Sequence, residues 1–241
     1  MNSRVILVSD DRSSLRSPDT LLWPDAACMR GIHTGEWTAH IFEYAMSFEG
    51  NMTQVRELAA ANGVGVLHPH GALATDPPGL IVCDVDSTVT RTEAIDLLAE
   101  CAGKADEVRE ITARAMVGEL DFTQSLYARV RCLEGLHIGA LEEAWKATVI
   151  TPGTAELVAA AHDVGAAVGL VSGGFTAVVD PLAEQIGADF AASNELEIVD
   201  NHLTGRVVGD IIDRAAKTTW LRRWASERGV ALERTIALGD G

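Results

Sequence analysis

The rhythm of hydrophobic and polar positions changes once along the chain. Up to about residue 67, short mixed runs are separated by polar breaks: "RVILVS" and "HIFEYAMSF" read as strands, "MTQVRELAAANG" as a helix stopped by Gly63, and "VGVLH" as another strand. The stretch "HPHGALATDPPG", His68 to Gly79, has neither helical nor alternating periodicity and reads as a linker. Beyond it, unbroken apolar runs alternate with helical stretches: "LIVCD", then "AAVGLVSGG", then "TIALGD". Such runs are what a parallel sheet covered on both faces requires. The pattern predicts a small α+β domain over residues 1–74 and a doubly wound, Rossmann-like α/β domain over residues 75–241. Residues 93–148 contain no convincing strand and are expected to form a helical insertion, leaving 79–92 and 149–241 as the core.

In a parallel sheet, ligands bind beyond the carboxyl ends of the strands. "DVDST", "SGG" and "GD" each follow an apolar run, so Asp84, Asp86, Ser172, Gly173, Gly174 and Asp240 are expected to converge on one edge. In an extended segment Asp84 and Asp86 point to the same side. Two such carboxylates repel unless a cation lies between them or one stays protonated. With Asp240 as a third, an all-oxygen donor set favours magnesium. A helix cap or turn would account for the pair alone, but not for the agreement of three strand ends.

"SGGF" reads as the opening of a helix striped by Val179, Leu182 and Ile186. A hydroxyl and two glycines there can receive phosphate oxygens, or can form an ordinary turn. Lys217 lies near the start of "AAKTTWLRRWASERG", where a cation opposes the helix dipole; a facing phosphate and a solvated surface are both open. Trp220 and Trp224, one turn apart, read as core. "LDFTQSLYARVRCLEG" places Phe122, Leu126, Arg129 and Leu133 on one stripe, and an arginine there either snorkels or binds an anion. Glu93 closes "TRTE", the spacing of a capping box.

The formal net charge of −16 argues against nucleic acid or an anionic membrane as partner. An anionic substrate would then need local cations or a metal. No apolar run approaches the roughly 20 residues of a membrane span, and the N-terminus lacks the pattern of a secretory signal, so a cytoplasmic location is expected. The four cysteines have neither metal-site nor CxxC spacing and read as small buried hydrophobes.

From about Leu80 onward the chain resembles the phosphoserine phosphatases of the haloacid dehalogenase superfamily. "DVDST" resembles the nucleophile motif, and "VSGGF", Lys217 and "GDG" resemble the later motifs in order. Glu93, "AMVGELDFTQSLYARV" and "SGGF" resemble the phosphoserine-specific members. The resemblance implies that the insertion is a helical cap, that Asp84 is a nucleophile forming an aspartyl-phosphate, and that Asp86 is general acid and then general base. It further implies phosphate held by Ser172, Gly173, Gly174 and Lys217, and magnesium held by Asp84, the backbone carbonyl of Asp86, and Asp240. Glu93 would receive a substrate ammonium and Arg129 a carboxylate, with Met116 and Phe122 closing over them. The implied reaction converts L-phosphoserine to L-serine and phosphate, the last step of serine biosynthesis. Two alternatives stay open: the same chemistry on phosphohomoserine or phosphothreonine, and a magnesium- and phosphoserine-binding module without turnover. The family's last motif continues past "GDG" into an Asn, an Asp and further elements, whereas this chain stops at Gly241. A shortened phosphatase domain with an uncovered sheet edge is therefore expected. The N-terminal domain is open between regulation and homodimer formation.

Overall fold

The computed structural model describes residues 3–9, 28–34, 37–46 and 52–239, in two compact units, Met1–Asp76 and Pro77–Gly241. In the first, β1 (Ser3–Ser9), β2 (Cys28–Thr34), β3 (Trp37–Met46) and β4 (Gly65–Leu67) form a sheet in the order β2-β3-β1-β4, with α1 (Met52–Ala61) preceding β4. All the pairings are antiparallel. After α1 the chain turns through Gly63 at φ +67°, the left-handed conformation that ends many helices. Strand β2, "CMRGIHT", was not expected, because its Arg, Gly and His interrupt the apolar pattern by which strands are recognised.

The second unit is built on β5 (Leu80–Cys83), β6 (Ala167–Phe175), β7 (Phe190–Val199), β8 (His202–Val208) and β9 (Thr235–Leu238), in the order β8-β7-β6-β5-β9. Strands β9, β5, β6 and β7 are parallel and β8 is an antiparallel edge. The β7–β8 hairpin turns through Asp200 and Asn201, both at positive φ (48° and 62°), as a tight two-residue turn requires. This hairpin escaped the sequence reading although its Asp-Asn pair was the available signal.

All four residues of β5 are buried because both faces of the sheet are covered. Ile81 and Cys83 pack with α6 (Thr154–Asp163) and α7 (Thr176–Ile186), through Val158, Leu182 and Ile186. Leu80 and Val82 face the other way, towards Trp224 and Ala225 of α8 (Arg214–Glu227). Trp224 is core, as its helical spacing predicts. It stacks on Phe190 with ring centroids 5.3 Å apart and crosses β6 so closely that a Cβ on Gly169 would stand 2.7 Å from its ring.

The insertion is helical, as expected: α2 (Ala94–Cys101), α3 (Ala105–Met116), α4 (Phe122–Arg131) and α5 (Gly139–Ala147). Leu98, Val108, Leu126 and Val130 form its core together with Phe175, Val178, Leu196 and Leu203. The insertion is thus seated on α7 and the β7–β8 hairpin. Leu133 is buried in this core but lies beyond the end of α4. Two of the three cysteines whose burial is described depart from expectation: Cys83 is buried, whereas Cys101 is exposed and Cys132 is only partly buried. Among the described residues no helix is long and apolar enough to cross a membrane.

Asp189, just before β7, ties three elements together. Its Oδ2 accepts the Val168 N–H at 2.8 Å and lies 2.9 Å from His162 Nε2, while Arg228 Nη2 approaches Oδ1 at 3.3 Å. Burial acts to raise its pKa, but the hydrogen bonds from Val168 and His162 and the nearby charges outweigh it, and the net shift is downward. A depressed carboxylate stabilises the fold above its unfolded pKa of about 4 and loses that contribution as pH falls through the folded value. Asp189→Asn is therefore expected to lower stability by about 1 kcal/mol at pH 7, with the gap narrowing as pH falls below the unfolded pKa of about 4 and through the depressed folded value. Urea-denaturation midpoints across that range measure the gap, and one that does not change with pH would contradict the assignment.

Candidate active site

β5 delivers the chain to the carboxyl edge of the sheet, where Asp84 stays extended and its N–H bonds the Leu238 carbonyl of β9 at 2.8 Å. The chain then turns sharply. Ser87 adopts a left-handed conformation at φ +57°, uncommon for a residue with a side chain. Thr90 closes the turn, its N–H bonding the Val85 carbonyl at 2.9 Å and its hydroxyl the Val85 and Thr92 carbonyls. Val85 and Val89 are buried beneath it, which anchors the segment that presents both carboxylates.

The two aspartates occupy different electrostatic settings. Asp84 Oδ1 accepts its neighbour Val85 N–H at 2.8 Å, and Oδ2 receives the Lys217 ammonium from the first turn of α8 at 2.5 Å. Asp86 has no such direct cation. Its Oδ2 accepts the Ser172 hydroxyl at 3.1 Å and its Oδ1 the Ala94 N–H at the start of α2 at 3.3 Å. Burial pushes the Asp86 pKa upward and the Asp84 charge adds to it, while the bonds from Ala94 and Ser172 and the Lys217 charge oppose; the net direction is up. The repulsion anticipated from "DVD" is thus relieved by pairing one carboxylate and favouring the proton on the other.

Ser172 is fully buried and also accepts the Gly174 N–H at 2.7 Å. Contrary to expectation, Ser172, Gly173 and Gly174 do not open a helix. β6 runs on through Phe175, with an irregularity in its pairing to β7, and α7 begins at Thr176. The glycines are there for close approach. A Cβ on Gly174 would stand 2.8 Å from Asp86 Oδ2, and one on Gly173 would stand 2.8 Å from the Phe122 ring. The buried Asn194 completes the arrangement: its amide donates to the Gly173 carbonyl at 2.8 Å, and its Oδ1 accepts the Ile212 N–H at 2.9 Å. This residue was missed; a single Asn in the strand sequence "FAASNELEIV" was its only signal.

On the insertion side, α4 starts at a capping box between Asp121 and Gln124, which fixes the register of Phe122 and Arg129. Half-buried Arg129 lies in the field of Glu93, Asp96 and Asp86, whose charges partly offset a burial that lowers its pKa. Glu93 stands at the N-cap of α2 but makes no side-chain cap bond there. The capping box expected from "TRTE" does not form, because the Thr90 hydroxyl bonds the Val85 and Thr92 carbonyls instead. Phe122 reaches the site through Gly173. Met116, at the end of α3, is 84% exposed and is not packed onto it. Asp240 lies outside the described residues. A cavity of about 470 Å³ lies over Asp84 and Lys217, with Phe122 and Gly239 in its wall. Arg214 lines it too; its position three residues before Lys217 was the overlooked clue.

A carboxylate paired with an ammonium, beside a second one biased towards its acid form, can carry out nucleophilic attack and proton transfer in one place. Comparison with known proteins agrees. The model of the haloacid dehalogenase-like hydrolases matches residues 81–241. A phosphoserine phosphatase of Streptomyces coelicolor is 50% identical over 183 residues, 76% of this chain and 45% of that protein. One of Streptococcus thermophilus is 49% identical over 163 residues, 68% of this chain and 76% of that protein. A solved structure described as a phospho-aspartyl intermediate analogue of phosphoserine phosphatase has a TM-score of 0.65 at 40% identity, covering 69% of this chain and 79% of that one. The chain therefore spans less than half of the Streptomyces relative and about three quarters of the streptococcal one. The match over residues 81–241, on a sheet whose carboxyl edge gathers Asp84, Asp86 and Ser172 beside Lys217 of α8, shows that the chain belongs to the haloacid dehalogenase-like hydrolase family.

Proposed function

We propose that the chain is a magnesium-dependent phosphatase that converts L-phosphoserine to L-serine and phosphate through an aspartyl-phosphate at Asp84. The observation that carries this reading is the contrast between Asp84, paired with Lys217, and Asp86, half-buried and shifted towards its protonated form. Relatives named phosphoserine phosphatase support the substrate, and the relative described as a phospho-aspartyl intermediate analogue supports the covalent step.

Asp84 attacks phosphorus as the bond to the serine oxygen breaks, and Asp86 gives its proton to that departing oxygen. Water then attacks phosphorus and loses a proton to the Asp86 carboxylate. The bond to Asp84 breaks, releasing phosphate and restoring both side chains. Lys217 screens the charge of the incoming phosphate from that of Asp84, the electrostatic contribution on which phosphoryl transfer depends. Ser172, Gly173 and Gly174 supply a hydroxyl and close backbone approach for phosphate oxygens. Glu93 takes the substrate ammonium and Arg129 its carboxylate, with Phe122 closing the cap side.

The donors fit magnesium in kind. Asp84, the carbonyl of Asp86, and Asp240 would hold it through oxygen alone. Gly239, next to Asp240 in sequence, is placed so that a Cβ on it would stand 3.7 Å from Asp84 Cβ. Among the described residues no three acidic, histidine or cysteine side chains group around a metal position, so the set depends on Asp240. When bound, the ion would neutralise phosphate charge. This activity would be the last step of serine biosynthesis.

Phosphate release from L-phosphoserine, phosphothreonine and phosphoethanolamine, with magnesium or with chelator, tests the reading. We expect release that is fastest with L-phosphoserine and lost with chelator. A preference for another ester would overturn the substrate, and chelator-resistant release would overturn the metal.

Gly174→Ala forces a methyl group against Asp86 and Ser172 and should lower kcat about 10²-fold, the cost of misplacing a reacting group by roughly an ångström. Steady-state kinetics on the variant measure this; a near-normal kcat would show that Asp86 is not held in place for proton transfer.

A further inference from the structure

We propose that Arg214 is a further substrate-binding residue of this site, a second cation that captures the phosphate group. The inference rests on the phosphomonoester reading given above. Arg214 lines the cavity over Asp84 and Lys217, and among the described residues Arg214 and Lys217 are its only cationic side chains. It is the first residue of α8 and stands three positions before Lys217, so the two share a helix face.

Local stability does not account for an arginine here. A cation in the first helical turn opposes the dipole, and the first turn of α8 contains no acidic residue to balance it. The adjacent N-cap, Asp213, uses its carboxylate on the Ala216 N–H at 2.7 Å. Arg214 is exposed, so its guanidinium is accessible from solvent.

The site's charge balance calls for such a group. Lys217 is already engaged with Asp84, so a phosphate dianion entering the cavity brings two further negative charges into a chain of formal charge −16. Arg129 belongs to the cap side, among Glu93, Asp96 and Asp86. Arg214 is the remaining cationic side chain among the described residues that line the cavity, and a guanidinium fork matches phosphate oxygens in pairs.

The test uses Arg214→Gln and Arg214→Lys in the full chain, with three readouts: inorganic phosphate affinity by calorimetry, kcat/KM for L-phosphoserine and phosphoethanolamine, and thermal midpoint. We expect the glutamine variant to bind phosphate about tenfold more weakly, as the loss of a charge-assisted hydrogen bond predicts. kcat/KM should fall by a similar factor for both esters, lysine should restore most of the loss, and the thermal midpoint should hold or rise. Unchanged phosphate affinity in the glutamine variant, or a loss confined to the carboxylate-bearing ester, would overturn the proposal. Arg214-dependent phosphate binding in a chain that hydrolyses neither ester would sustain the residue's role and overturn the phosphatase reading instead.

Discussion

Two carboxylates one residue apart at the end of a buried strand are the constraint on which the rest of the site depends. Left unpaired, the Asp84 and Asp86 carboxylates would repel each other and push the turn apart. The fold resolves this asymmetrically. Lys217 crosses from α8 to Asp84, while Asp86 is enclosed by Ser172 and the start of α2. The same asymmetry separates the two chemical roles, since an ionised group can attack and a protonated one can donate.

The architecture keeps that asymmetry fixed. Two-sided burial of β5 prevents its register from slipping, and the parallel neighbours β6 and β9 set Ser172 and Gly239 beside the aspartates. Asn194 braces the Gly173 carbonyl from β7, and the β7–β8 hairpin continues outward as the seat of the helical insertion. The insertion returns Phe122 and Arg129 to the edge from which it departed. Asp86, whose Oδ1 accepts the first N–H of α2, joins core chemistry to cap position in one contact.

Much of this was legible in the residues. The unbroken apolar runs marked β5, β6 and β9, and the convergence of Asp84, Asp86 and Ser172 followed from strand ends, whereas Lys217 on its helix stayed open between a phosphate contact and a solvated surface until the resemblance assigned it. Less legible was anything decided by a distant partner. Ser172–Gly174 read as a helix start because paired glycines weaken strands. The segment stays extended because the Ser172 hydroxyl and the Asn194 amide satisfy backbone groups that a strand partner would otherwise take. Glu93 matched a capping box by spacing, yet the Thr90 hydroxyl was already committed to nearby carbonyls. Arg214 and Asn194 went unnoticed because a helix-start arginine and a strand asparagine carry no periodic signal. Met116 was expected over the site and stands exposed instead.

The central claim is that Asp84 becomes phosphorylated, and the most direct measurement is to trap that bond. The chain would be mixed with phosphoserine carrying labelled phosphate, quenched in acid within a turnover, reduced with borohydride and digested. An aspartyl-phosphate is converted by this treatment to homoserine, which mass spectrometry locates. The account predicts homoserine at position 84 and label in the quenched chain. Phosphate release with no trapped label, or modification at Asp86 in place of Asp84, would contradict it.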